Sequence, residues 1–204
     1  MISLFLSTFS SFLHIALLKD NLIIKEKYIK LDKELSKMAL VNVKELFDET
    51  KLDPKNTKEI ICVEGPGSFT GLRVGVTIAK SFAYSLDLDI IPISSLFLMA
   101  TSIKNSNYII PYIDARRGYV YASIYDKNYN QILKDSYTSF EELSNKAKEL
   151  GDVTFVSYDK LNDETKEYLP DLENTLKYIT KKPVKAMTFI PNYLKKTEAE
   201  ENLS

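Results

Sequence analysis

The chain has 204 residues, of which 45% are hydrophobic and 27% are charged. This composition is typical of a globular protein with a sizeable core, and the length fits one domain or two small ones. The 27 basic and 28 acidic side chains nearly cancel, which excludes a long-range field that draws the chain to nucleic acid or to an anionic membrane. Any contact with RNA would have to be local or made through a partner.

The chain contains one cysteine, Cys62, and one histidine, His14. These numbers exclude an internal disulfide and any zinc site built from several Cys or His ligands, so we predict no metal site. A Cys62–His14 pair of nucleophile and base remains formally possible. However, Cys62 lies in the apolar run 60–63, which favours a buried structural thiol. We interpret His14, in the apolar run 12–16, in the same way.

The first 18 residues are apolar but are interrupted by Ser, Thr and His side chains, and no basic region precedes them. This pattern predicts strands rather than a signal peptide. Because no other stretch approaches the length of a membrane span, we expect a cytoplasmic protein without membrane contact.

The first half of the chain alternates strand and helix signals. Short β-rich runs at 2–6, 14–18 and 22–29 predict an antiparallel meander. Between residues 34 and 49 apolar side chains recur every three or four positions, which predicts a helix, with Leu40 and Val41 lying off the apolar stripe. A strand at 59–63, a glycine-rich turn, a helix at 71–86 and a strand at 90–93 then form a βαβ unit.

The second half repeats this succession. The predicted elements are strands at 108–113, 120–125 and 131–136, a helix at 140–150 and a strand at 153–158. A polar link at 101–107 marks the boundary between an N-terminal lobe over 1–100 and a C-terminal lobe over 101–204, whose tail could pack back on the first lobe. The fold class is therefore α/β, with mixed sheets flanked by helices.

The turn at 65–73, Gly-Pro-Gly-Ser-Phe-Thr-Gly-Leu-Arg, is the most informative stretch. Bare backbone amides at a helix start suit an anion, but the spacing fits neither a Walker loop nor the dinucleotide fingerprint. In the alternative interpretation the glycines only permit a tight turn, and Ser68 or Thr70 caps the helix. The anion-loop candidates are Gly65, Gly67, Ser68, Thr70, Gly71 and Arg73.

The longer string at 65–75, followed by Ala79-Lys80, Pro92 and Ser94-Ser95-Leu96, resembles the signature of the TsaB family, also called YeaZ-type. The residues at 114–117 and 120–121 resemble its second-lobe motif, with Asp114, Arg116 and Arg117. The residues at 191–194 and 198–200 resemble its C-terminal tail. The resemblance implies a two-lobed actin-like ATPase fold, of the RNase H-like kind.

The resemblance also implies a function. Members act as the non-catalytic dimerisation subunit for threonylcarbamoyl transfer to N6 of the adenosine at position 37 of tRNA, binding and activating TsaD together with the ATPase TsaE. We accordingly expect no cofactor in the isolated chain, ATP or ADP and Mg²⁺ only in the assembled complex, and indirect contact with tRNA. Leu6 stands where the family carries an Asp on its first strand, and this loss favours a scaffold over an enzyme.

Two other interpretations stay open. The chain could be an actin-like hydrolase or peptidase acting on its own, but a nucleophilic Ser68 would have only His14 as a histidine base. It could also be an isolated RNase H-like domain with an unknown partner. Lysines at 177, 181, 182, 185, 195 and 196 make the C-terminal part locally basic, and a solvated face explains them better than an RNA patch.

The two N-terminal helices are the expected partner surface. In the second helix Gly75, Ala79 and Ala83 recur every four residues, which lets another helix approach closely. The alternative is that the fold itself covers both faces, and the resemblance favours a bundle shared with TsaD or with a second copy. The predicted interface residues are Leu35, Met38, Ala39, Val43, Leu46, Leu72, Gly75, Val76, Ala79, Phe82 and Ala83.

Overall fold

The computed structural model describes residues 1–195. These residues form two compact units, each with its own sheet. The first unit comprises Met1–Ser95 and Ile179–Asn192, and the second comprises Leu96–Tyr178 and residues 193–195. The lysine at 196 and the motif residues at 198–200 lie outside the described part.

The first unit contains a mixed six-stranded sheet. Its elements are β1 (Ile2–Ser7), β2 (Phe12–Lys19), β3 (Leu22–Lys30), α1 (Leu35–Thr50), β4 (Thr57–Gly65), α2 (Phe69–Leu86), β5 (Asp89–Ser94) and, from the end of the chain, β11 (Val184–Lys185). The strand order is β11-β5-β4-β1-β2-β3, in which β1 is antiparallel to β2 and parallel to β4. The order β3-β2-β1-β4-β5 is that of the expected RNase H-like fold.

The core of this unit lies between the sheet and the helices α1 and α2. Alternate side chains of β1 and β2, such as Leu4 and Leu13, enter it because successive residues of a strand face opposite sides. Phe47 of α1 stacks on Phe82 of α2, with ring centroids 6.0 Å apart. Asn42 interrupts the apolar stripe of α1 and is buried, and its Nδ2 donates to the carbonyl of Met38 at 3.0 Å.

The second unit repeats the strand order of the first. Its elements are α3 (Ser95–Ala100), β6 (Tyr108–Asp114), β7 (Tyr119–Asp126), β8 (Gln131–Ser139), α4 (Phe140–Leu150), β9 (Val153–Ser157), β10 (Lys166–Glu167) and α5 (Leu172–Lys177). The sheet order is β10-β9-β6-β7-β8, again with an antiparallel meander joined to parallel strands. The predicted α/β class with mixed sheets is confirmed.

The segment Ile179–Asn192 belongs to the first unit although it follows residues 96–178 of the second unit in sequence. Its strand β11 pairs antiparallel with β5, and Phe189 is buried in the first core. The Lys181 ammonium forms an ion pair with Glu64, and the backbone amide of Asn192 donates to the Glu64 carbonyl at 2.7 Å. The end of β4 is thus held by the C-terminal segment.

No helix within residues 1–195 combines the length and the apolar character that crossing a membrane requires.

Candidate functional site

The glycine-rich turn joins β4 to α2 and is fixed by hydrogen bonds at the helix start. Ser68 is the N-cap, and its Oγ accepts from the Gly71 amide at 3.3 Å. The Ser68 amide donates to the carbonyl of Phe9, in the turn between β1 and β2, at 2.7 Å. Of the two N-cap candidates in the sequence, Ser68 and Thr70, the residue that caps the helix is therefore Ser68.

The glycines of the turn allow the chain to approach itself. A Cβ placed on Gly67 would lie under 3.0 Å from the Phe9 carbonyl, and one on Gly71 or Gly75 would lie equally close to Thr8. The Thr8 hydroxyl is buried and donates to the Gly71 carbonyl at 2.7 Å. The faces left bare by these glycines are therefore filled by the turn between β1 and β2. A Cβ on Gly65 would similarly lie 2.8 Å from the carbonyl oxygen of Asn192.

An open depression of about 870 Å³ lies beside this turn. Ser68 and Thr70 line one side of it, and the residues that precede α1 line the other. The charged side chains on that rim are Asp32, Lys33 and Glu34, so the rim carries more negative than positive charge. Such a rim does not favour an anion. Other lining residues are Ser10, Ser11, Leu31, Leu35, Ser36 and Gly71.

Arg73, one turn into α2, stacks its guanidinium over the ring of Phe69 at 3.9 Å from the centroid. Both side chains are exposed. The arginine thus stands on the outer face of α2, where it is accessible to a partner.

Leu6 is fully buried in the core of the first unit. The position where the family carries a first-strand carboxylate is therefore occupied by a side chain that packs against apolar neighbours. A leucine supplies no oxygen ligand for a metal ion at this position.

His14 and Cys62 are each held by other neighbours in the first unit. The His14 Nε2 lies 2.6 Å from a Glu26 carboxylate oxygen, and its ring packs edge-on against Phe5 and Tyr28. Cys62 is fully buried, and desolvation together with the nearby charge of Glu64 raises the pKa of its thiol far above the ordinary value. The interpretation of Cys62 as a buried structural thiol is confirmed.

Residues 1–195 contain no cluster of three or more His, Cys, Asp or Glu side chains that could hold a metal ion.

The second-lobe motif forms the turn between β6 and β7. One carboxylate oxygen of Asp114 accepts from the Arg116 amide at 2.8 Å, and the Asp114 amide donates to Asp159 at 3.0 Å. Arg116 and Arg117 have φ angles of 73° and 55°, in the left-handed region, and both side chains are exposed. Asp114 therefore shapes a turn that presents two arginines, followed by the exposed Tyr119, which no sequence motif marked as a site residue.

Most of the residues predicted for a partner surface on α1 and α2 are buried within the chain itself. Nine of the eleven predicted interface residues are buried within the first unit, and only Met38 and Phe82 are partly exposed. Their periodicity marks the face that packs on the chain's own sheet and on the neighbouring helix, and in this fold the chain itself covers these nine side chains. The buried residues are Leu35, Ala39, Val43, Leu46, Leu72, Gly75, Val76, Ala79 and Ala83. The exposed apolar residues of α1 are Leu40 and Val41, 56% and 44% exposed.

Residues 29–190 match the family model described as TsaD, tRNA N6-adenosine threonylcarbamoyltransferase. Among curated relatives, the tRNA threonylcarbamoyladenosine biosynthesis protein TsaB of Bacillus subtilis is 40% identical over 114 residues, 55% of this chain and 50% of that protein. The protein of the same name from Buchnera aphidicola of Acyrthosiphon pisum is 33% identical over 125 residues, 57% of this chain and 56% of that protein. The chain thus spans about half the length of these relatives.

Two solved structures share the fold. YeaZ from Pseudomonas aeruginosa aligns with a TM-score of 0.72 at 18% identity, covering 94% of this chain and all of that one. An uncharacterized protein described as similar to peptidase YEAZ from Pseudomonas aeruginosa aligns with a TM-score of 0.80 at 21% identity, covering 95% and 99%. The predicted resemblance to TsaB, or YeaZ-type, proteins is confirmed. Since the family model covers most of the sequence, the chain belongs to the TsaD-type threonylcarbamoyltransferase family, in which its curated relatives carry the name TsaB.

Proposed function

We propose that this chain is the non-catalytic dimerisation subunit of the machinery that forms N6-threonylcarbamoyladenosine at position 37 of tRNA. In this role it binds and activates TsaD together with the ATPase TsaE. The names of the curated relatives support participation in threonylcarbamoyladenosine biosynthesis. The chain's own residues support participation through binding rather than through catalysis.

The observation that carries the proposal is the closed first-strand region. Leu6 lies in the core where a catalytic carboxylate would be needed, and the Thr8 hydroxyl is engaged by Gly71. A leucine cannot hold a metal-bound water or polarise a nucleophile. The glycines that could cradle a phosphate instead accommodate Thr8 and Phe9. A chain built in this way is suited to support a partner's chemistry.

The same residues bear on cofactors. A nucleotide phosphate held by this turn would have to displace Thr8 and Phe9, and Mg²⁺ would meet Leu6 in place of a carboxylate. The residues therefore do not fit either group. We propose that the isolated chain uses no cofactor and that ATP or ADP and Mg²⁺ are held by other subunits of the assembled complex.

The alternative of an independent hydrolase or peptidase has weaker support. A nucleophilic Ser68 needs a base within hydrogen-bond reach, but the Ser68 Oγ caps α2 and the His14 imidazole is engaged by Glu26.

The partner surface is proposed to be the outward face of α1 and α2. Leu40 and Val41 are neighbouring apolar side chains on an otherwise charged helix face, with Lys37 and Lys44 beside them. Apolar residues rimmed by charges are typical of a protein contact. A second copy or TsaD would cover them.

The test combines assembly with activity. We expect the purified chain alone to leave tRNA unmodified and the mixture with TsaD, TsaE, ATP and the threonylcarbamoyl donor to modify it. The variant Leu40→Glu with Val41→Glu should lose at least about tenfold in affinity for itself or for TsaD, because two buried apolar contacts are replaced by charges. Light scattering and TsaD capture measure this loss.

The matched control is Leu22→Glu, which changes a leucine at the start of β3 that is more exposed still. It should assemble and support modification as the unaltered chain does. Modification by the chain without any partner would contradict the non-catalytic role, and full assembly of the double variant would place the interface elsewhere.

A further inference from the structure

The second unit carries a cluster of tyrosines on the face of its sheet opposite the core. Tyr119 and Tyr121 are two residues apart on β7, so their side chains lie on one face, and Tyr137 of β8 is the register partner of Tyr121. Tyr119 stacks on Tyr137 with ring planes 10° apart and centroids 4.9 Å apart. Tyr121 lies 5.7 Å from Tyr137. The three rings form one continuous aromatic surface.

These tyrosines differ from the tyrosines that serve the core. The Tyr112 hydroxyl is buried and donates to the Asp159 carbonyl at 2.6 Å. The hydroxyls of Tyr119, Tyr121 and Tyr137 form no hydrogen bond within residues 1–195, and Tyr119 is 42% exposed. A buried tyrosine normally satisfies its hydroxyl inside the protein. The aromatic surface therefore offers the exposed part of the Tyr119 ring, the partly exposed rings beside it and their hydroxyl groups to a ligand.

Cationic side chains lie over one ring of this surface and in the turn that precedes Tyr119. The Lys195 ammonium lies over the Tyr137 ring, 5.5 Å from its centroid. Arg116 and Arg117 occupy the turn that leads directly into Tyr119, and the Arg116 side chain is 87% exposed. Arg116 is held only loosely by Asp114, at 3.5 Å. The carboxylate of Asp135, on the same strand as Tyr137, is engaged by Gln131 at 2.7 Å.

We propose that Tyr119, Tyr121 and Tyr137 form a stacking surface for unpaired nucleotides of RNA, with Arg116, Arg117 and Lys195 contacting the phosphates. Aromatic side chains on a sheet face that is flanked by cations are suited to exposed bases, because the ring stacks on the base while the cation neutralises the backbone. A duplex keeps its bases stacked internally and cannot use the rings. The near-neutral net charge of the chain requires that any RNA contact be local, as this one is.

The inference takes from the proposed function only that the nucleic acid is RNA. It adds that this chain contacts the RNA directly.

The test is the affinity of the full chain for a fluorescent, unstructured RNA oligomer and for the corresponding duplex, measured by anisotropy at low salt. The single strand should bind more tightly. Tyr119→Ala should weaken that binding about tenfold, whereas Tyr119→Phe should retain it, because the ring rather than the hydroxyl stacks. Arg117→Ala should flatten the dependence of affinity on salt.

Tyr84→Ala provides the matched control, since Tyr84 is a highly exposed tyrosine on α2 of the first unit. It should bind the oligomer as the unaltered chain does. The proposal is wrong if the chain binds neither the single strand nor the duplex, or if it binds the duplex as tightly as the single strand. It is wrong as well if Tyr119→Ala and Tyr84→Ala have the same affinity for the single strand. It is also wrong if Tyr119→Ala loses capture of TsaD while retaining RNA affinity, which would make this face a protein contact. Modification by the reconstituted complex without direct RNA binding would refute the stacking surface alone and leave the proposed function standing.

Discussion

At the scale of single residues, the glycines show how one sequence signal serves two structures. Gly67 and Gly71 have no side chain, and an anion loop needs such bare backbone whatever the spacing of its glycines. The same property is needed where two turns of one chain approach closely, as Thr8 and Phe9 do here. The sequence could not separate the two uses, because the approaching residues lie about sixty positions away along the chain.

Gly71→Ala should lower the free energy of unfolding by about 1–3 kcal/mol, because its Cβ would overlap the Thr8 carbonyl and force the two turns apart. Gly71 has no positive φ, so the cost arises from overlap alone. Thr77→Ala, at an exposed position of the same helix, is the control and should be near neutral. Chemical denaturation of both variants measures the difference, and equal stability would mean that the approach is loose.

Cys62 should resist a thiol-reactive probe in the folded protein. Burial raises the pKa of its thiol, so neither the thiolate nor a path for the reagent is available below the unfolding transition. The labelling rate, followed by mass spectrometry, should rise by orders of magnitude in denaturant. Rapid labelling under native conditions would show that the first core opens easily.

At the scale of elements, the strands and helices that bury a long periodic face were predicted from the sequence. The helix at 140–150 has the predicted bounds, and α2 begins at Phe69, two residues before its predicted start. The short elements α3, α5, β10 and β11 were not predicted. Each has six residues or fewer, so its stability comes from tertiary contacts, such as the hydrogen bond between Thr101 and Thr175 at 2.7 Å.

The helix faces show a second limit of sequence analysis. Periodicity identified which residues of α1 and α2 share a face, and these residues do pack together in the core. It could not say whether the partner of that face is the chain's own sheet or another subunit. The stripe through Ala79 meets its own core, while the two residues off the stripe, Leu40 and Val41, remain at the surface.

Asp171 should make the second unit sensitive to acid. Burial alone would raise the pKa of this carboxyl, but the Lys104 ammonium at 2.6 Å and the Asn174 amide lower it below the ordinary value. The ionised carboxylate therefore contributes its full stability at any pH above the ordinary pKa of the unfolded chain. This contribution is lost as the pH falls through the lowered pKa of the folded state. Asp171→Asn retains a capping oxygen for α5 but removes the charge. The free energy of unfolding of this variant should fall less steeply than that of the unaltered chain between about pH 6 and about pH 3.

Asp163→Asn serves as the control for this effect, since Asp163 is exposed and makes no ion pair with residues 1–195. Its pH profile should follow that of the unaltered chain. If the free energy of unfolding depends on pH equally in the unaltered chain and in both variants, Asp171 is not a source of acid sensitivity.

At the scale of the whole molecule, the returning segment completes the first unit. Phe189 is only 2% exposed and joins the core formed by residues far earlier in the sequence, whereas Met187, two positions before it, is 75% exposed. Phe189→Ala should therefore cost about 3–5 kcal/mol of unfolding free energy, and Met187→Ala should cost little. Thermal and chemical denaturation distinguish the two variants. A neutral Phe189→Ala would mean that the segment adds little to a core that is already complete.

The returning segment also constrains how the protein emerges from the ribosome. Synthesis proceeds from the N-terminus, so the first sheet must wait for β11 until residues 96–178 of the second unit have been made. During that interval the outer edge of β5 has unpaired backbone groups, and the place that Phe189 will fill is open. Nascent chains arrested near residue 178 should therefore be the aggregation-prone form of this protein, and these chains would depend most on a chaperone that covers an exposed strand.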